Sequence, residues 1–111
     1  MIREYKILSD MQEREFRTEK NHIIISSCYA FCVETKDFVR LEVVSFFKEN
    51  EEVSSSVKFA TDRKRKEFLD LQSGDYLKAE ISTYEWLDKK FVKVNKILEV
   101  GNFDAMFKEV K

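Results

Sequence analysis

Trp86 lies two residues after Tyr84 and just ahead of Lys89 and Lys90. Earlier in the chain Phe38 and Arg40 alternate, and Phe46 and Lys48 follow them. Aromatic faces stack on planar rings, while Lys and Arg side chains track phosphates. Together such groups suit an unpaired nucleic-acid strand, at about 1–3 kcal/mol per stacked base. Lys58 adds a further cation. The run Arg63-Lys64-Arg65-Lys66 is the densest positive charge in the sequence and offers a second set of phosphate contacts. In the first turn of a helix it works against the helix dipole, which makes the placement notable. A charge run of this kind also serves simply as a solvated face.

Other chemistries find little purchase. The chain has two Gly, far apart, so no Gly-rich phosphate loop is present. It has one His and two Cys, too few for a zinc site of the usual kind. No nucleophile elbow, His-Glu-x-x-His or Cys-x-x-Cys pattern occurs. With 21 acidic residues in 111, carboxylate pairs arise everywhere and single out nothing. We therefore expect no enzyme, no cofactor and no metal.

The bulk numbers fit one folded domain. Hydrophobic residues make up 43% and charged residues 37%, enough for a core under a well-solvated surface. Ten Phe, four Tyr and one Trp favour strands. The net charge is −1, so attraction to a phosphate chain must come from a local stripe of cations. No apolar run approaches the roughly 20 residues that span a bilayer. The opening residues mix acid and base and lead into no apolar stretch, from which we expect no secretory leader and a cytoplasmic location.

The elements that must position these residues read as follows. Residues 1–20 are charged without a clean period and read as one short strand or helix with an irregular lead-in. His22 to Val33 is rich in β-branched and aromatic residues and reads as a buried strand. Cys28 and Cys32 fall on one face of it, too far apart to bridge, and read as free buried thiols. Tyr29 and Phe31 share a face with Ile23 and Ile25 and read as core; His22 reads as structural. Phe38 to Lys48 is the second strand. It sets Val39, Leu41, Val43, Ser45 and Phe47 on the core face, and Phe38, Arg40, Glu42, Val44 and Phe46 on the other. Val53 to Ala60 is the third strand. Thr61 or Asp62 caps a short helix through Phe68 and Leu71, stopped at Gly74. Tyr76 to Tyr84 and Phe91 to Val100 are the fourth and fifth strands, joined by a loop carrying Trp86, Lys89 and Lys90. Phe103, Met106 and Phe107 recur at helical spacing in the tail.

Three strands, a helix and two strands is the order of the OB-fold. The expectation is an all-β, five-stranded Greek-key barrel over about 21–100, within one domain of residues 1–111. A short helix separates strands three and four, and a short C-terminal helix lies in the tail 101–111. A mixed α+β sheet is the competing architecture.

The stretch from Leu71 through Gly74-Asp75-Tyr76 to Phe91-Val92-Lys93-Val94-Asn95-Lys96-Ile97 resembles the last hairpin of OB-fold single-stranded-DNA-binding proteins. The size and the Lys-, Glu- and Asn-rich style are similar to compact members from bacteriophages and mobile elements. The resemblance implies binding of single-stranded DNA with little sequence specificity, in support of replication or recombination. The nucleic-acid-binding candidates are Phe38, Arg40, Phe46, Lys48, Lys58, Tyr84, Trp86, Lys89 and Lys90. Arg63, Lys64, Arg65 and Lys66 are further phosphate candidates. The alternative is a protein-binding accessory subunit of a primase, polymerase or helicase, docking through Phe103, Met106 and Phe107. A second copy of the chain is a further candidate partner; a membrane is not.

Overall fold

The structure is a computed structural model and describes residues 1–19, 21–48 and 63–106. It is mostly β-strand. Strands β1 (Ile2–Ile7), β2 (Gln12–Arg17), β3 (Asn21–Cys32) and β4 (Phe38–Lys48) come first. A helix, α1, covers residues 63–69 of the described chain. Strands β5 (Asp75–Trp86) and β6 (Lys89–Asn102) and the single turn of α2 (Phe103–Met106) complete it.

The strands form one sheet in the order β1-β5-β6-β4-β3-β2, and β1 also pairs with β3. Hydrogen bonding therefore runs in a ring through β1, β5, β6, β4 and β3, with β2 attached outside it along β3. All pairings are antiparallel except β4 with β6, which meet in parallel only at Leu41 opposite Val92 and Glu42 opposite Lys93. β1 divides its partners: Ile2 to Lys6 lie along β5, and Tyr5 to Ile7 lie along β3.

The ring closes around one core. Tyr5, Ile7, Leu41, Val43, Leu77, Ala79, Ile81, Val92 and Val94 turn inward at alternate positions of their strands. From β3 the inward side chains are Ile24 and then four small ones, Ser26, Cys28, Ala30 and Cys32. α1 inserts Phe68, fully buried, with Leu71 just beyond it. Complete burial of a Phe contributes about 2–3 kcal/mol. After the helix Gly74 takes φ +96°, a left-handed conformation that leads the chain into β5. Its N–H donates to the carbonyl of Ile7 at 2.7 Å, tying the helix exit to the end of β1. Among the described residues no helix is long and apolar enough to cross a membrane.

Three sequence expectations change. Residues 1–19 supply two strands of the sheet rather than one short element and a lead-in. β1 buries only Tyr5 and Ile7, and β2 buries nothing because it is an edge strand with water on both faces, so neither leaves a strong alternating pattern. Second, Tyr29 and Phe31 are not core. Tyr29 is 59% exposed and Phe31 half-buried, because the narrow interior takes the small residues of β3 and leaves the rings outside. Third, the connection between β5 and β6 is not a loop bearing Trp86 and the two lysines. β5 runs to Trp86 and β6 starts at Lys89, leaving only Leu87 and Asp88 between them. Both residues have positive φ, 51° and 63°, the geometry of a two-residue type I′ hairpin turn. The predicted third strand, 53–60, lies outside the described residues. Cys28 and Cys32 are buried and free, as their spacing implied. Burial alone pushes the Cys28 thiol up to about 12.

Candidate nucleic-acid interface

The outward face of β3 and β4 is built from cross-strand pairs. Phe31 stands opposite Phe38, Tyr29 opposite Arg40, and Ser27 opposite Glu42. Phe38 is 78% exposed, and its ring meets Phe31 at 5.4 Å between centroids, tilted by 57°. Residues 1–19 lie beside β3 within the sheet rather than across this face, which leaves Phe38 and Tyr29 open to solvent. Exposed aromatic clusters of this kind mark binding surfaces.

Next to it the sheet opens. β4 and β6 pair over only two positions, so their opening residues splay apart. A cleft of about 990 Å³ occupies that gap. One wall carries Tyr29, Phe38 and Arg40; the other carries Tyr84, Glu85, Lys90 and Phe91; Tyr5, Cys32, Val39 and Val92 lie deeper. Tyr84 and Phe91, opposite each other on β5 and β6, stack at 5.2 Å with 19° between planes. Arg3 and Asp37 complete the rim.

Hydrogen bonds fix the polar groups behind these walls. Arg40 Nη2 donates to Ser27 Oγ at 3.1 Å, and its Nε lies 4.0 Å from the Glu42 carboxylate. The Tyr84 hydroxyl donates to the other oxygen of Glu42 at 2.5 Å. Glu42 is only 4% exposed although it sits on the outward face, because Arg40 and Tyr84 cover it. Burial first, and then the bond to Glu42, push the Tyr84 phenol up to about 12. Among the described residues the side chains of Arg3 and Lys90 make no hydrogen bond or ion pair.

The sequence candidates distribute unevenly. Phe38, Arg40, Tyr84 and Lys90 meet at this cleft. Lys89 is exposed at the start of β6, next to the hairpin turn. Lys58 lies outside the described residues, as do the side chains of Phe46, Lys48 and Trp86. In α1, Arg63 pairs with Glu67 at 3.0 Å, and Arg65 is bound to Glu13 of β2. Lys66 is exposed. Lys64 is partly buried, and its pKa is lowered by that burial and by the charge of Lys93 on β6. Two of the four helix cations are thus engaged within the fold. In the tail, Phe103 lies under the Lys6 ammonium, 5.3 Å from the ring centroid, and Met106 lies against Gly101. Phe107 lies outside the described residues.

Sequence reasoning missed Tyr29, Phe91 and Arg3. Tyr29 was hidden by a strand apolar on both faces. Phe91 carries a usable signal: in a two-residue hairpin it must stand opposite Tyr84. Arg3 had none, since it depends on β1 joining the ring. Compared with known proteins, the chain matches no family model, no curated protein and no solved structure.

Proposed function

We propose that this chain binds single-stranded DNA, with little sequence preference and without catalysis, in support of replication or recombination. The observation that carries the reading is the convergence of Tyr29, Phe38, Tyr84 and Phe91 with Arg3, Arg40 and Lys90 on one cleft. Aromatic faces take bases of any kind, and cations take phosphates, which is the chemistry of sequence-tolerant single-strand binding.

We further read the ring as a barrel of the OB type. The support is its connectivity. β1 and β2 behave as one first strand bent at residues 8–11, since both pair along β3. β3 and β4 are then the second and third strands, α1 follows the third, and β5 and β6 are the fourth and fifth. This is the placement of the helix in that fold, whose ligand face is strands two and three between the loops L12 and L45. Under this numbering the ligand face is β3–β4 and not β4 with the segment 53–60. Its flanking turns follow β2 at Thr18 and Glu19 and follow β5 at Leu87 and Asp88. The aromatic cleft lies on that face.

The test is the binding of a fluorescently labelled oligothymidine by the native chain and by Phe38→Ala and Arg40→Ala. Saturable binding that weakens about tenfold in each variant supports the reading. Equal affinity in all three removes it. Absence of binding in the native chain moves the choice to a protein-docking subunit of a primase, polymerase or helicase.

A further inference from the structure

Where the cleft ends, β4 and β6 meet at Leu41 with Val92 and Glu42 with Lys93. Val92 and Val94 are buried in the core, so Lys93 between them turns outward. It shares that face with Phe91, two residues back and about 7 Å along the strand. Its cross-strand neighbour on β5 is Ser82, two residues from Tyr84. Lys93 thus adjoins the Tyr84–Phe91 stack on the same face. The Glu42 carboxylate across the seam does not pair with it, because the Tyr84 hydroxyl and Arg40 engage that group instead.

A second ammonium accompanies Lys93. Lys64 of α1 is half-buried, as Lys93 is. Burial first, and then the charge of Lys93, lower the Lys64 pKa. Among the described residues neither lysine makes a hydrogen bond or ion pair. The helix residues on either side of Lys64 differ: Arg63 and Arg65 are each neutralised by a glutamate. Half-buried cations are normally paired, because water no longer solvates their charge in full. Here two are held together without a counter-charge beside a pair of stacked rings. A phosphate group supplies what both lack, an opposite charge with several acceptor oxygens.

A strand leaving the cleft has two routes over this face. One crosses β3 to β2, where Arg14 stands opposite the outward Ile25. The other follows the seam between β4 and β6 to α1. Resting on the single-strand reading above, we infer that the strand follows the seam, and that Lys93 and Lys64 together hold the phosphate next to the base on the Tyr84–Phe91 stack. This contact adds to those of the cleft cations. It steepens the log–log salt slope by about 0.7 beyond what Arg3, Arg40 and Lys90 set.

The experiment measures binding of labelled oligothymidine at several salt concentrations by the native chain, by Lys64→Met/Lys93→Met and by Arg14→Glu. Methionine keeps the apolar stem and removes the charge. Both variants lower the net charge by the same amount, one on each route. The double variant should bind about tenfold weaker at low salt, with a slope flatter by about 0.7. Arg14→Glu should bind like the native chain. Its urea midpoint serves only as a folding control, whereas that of the double variant should equal or exceed the native value, since a repulsion is removed. Native affinity and slope in the double variant overturn the seam route and leave single-strand binding standing. An equal loss in Arg14→Glu also overturns it, by reducing the effect to net charge. A lowered urea midpoint in the double variant overturns it too, by giving the two ammonium groups to the fold. Failure of the native chain to bind overturns both readings.

Discussion

The Tyr84 hydroxyl on β5 reaches over β6 to donate a 2.5 Å hydrogen bond to Glu42 on β4. This bond joins the two walls of the cleft behind the Tyr84–Phe91 stack. Arg40 lies on the far side of the same carboxylate. Glu42 is therefore a positioning residue: it holds an aromatic wall and a cation in place and is itself covered.

Replacing Glu42 by Gln removes the negative charge that helps keep the Tyr84 proton. The Tyr84 phenol, pushed up to about 12 in the native chain, should then titrate at lower pH. The absorbance difference between each protein and its Tyr84→Phe counterpart reads that change. An unmoved titration would mean that burial alone sets the value.

Alkaline pH should destabilise the fold. Tyr5, Tyr76 and Tyr84 all have pKa values raised above the ordinary phenol range, with burial the largest cause in each. In the unfolded chain such phenols ionise near 10. The native state thus holds protons that the unfolded state gives up, and stability is complete below pH 10 and falls as pH rises through and beyond 12. Urea midpoints measured from pH 8 upward should be flat at first and then decline.

Phe68→Ala should cost about 3–5 kcal/mol, because it empties a fully buried site in the core. Arg65→Ala, which breaks only the partly exposed pair with Glu13, should cost about 1 kcal/mol or less. Chemical denaturation of the two variants checks the contrast.

Leu87 is a non-glycine residue at φ 51°, 74% exposed at the tip of the hairpin. Leucine is disfavoured there by about 1 kcal/mol, and asparagine tolerates the conformation. Leu87→Asn should stabilise the chain by about that amount in urea unfolding. A loss of stability would show that the leucine makes a contact worth more than its strain.

Much of this fold was legible in the sequence, and the missing parts share a cause. β4 could be read because Leu41 and Val43 alternate with Arg40 and Glu42, so one face is apolar and the other polar. β3 could be found but not oriented. Ile23, Ile25, Tyr29 and Phe31 look as apolar as Ile24, Cys28, Ala30 and Cys32, and only the width of the closed ring decides which set fits inside. β1 and β2 were hidden because one buries two side chains and the other none. Half of the cleft was visible as Phe38, Arg40, Tyr84 and Lys90. The other half depends on long-range pairing: Arg3 comes from β1, and Tyr29 from the misassigned face of β3. Glu42 gave no signal at all, since its burial arises from Tyr84 two strands away.

Trp86, the one Trp of the chain, is the last residue of β5 and follows Glu85, which lines the cleft, in sequence. The most direct test of single-strand binding is a titration of its fluorescence with oligothymidine at a series of salt concentrations. Contacts from Arg3, Arg40 and Lys90 to three phosphates predict saturable quenching whose log affinity falls with log salt at a slope of about −2. A flat trace at the lowest salt, or quenching that salt does not weaken, would contradict the account.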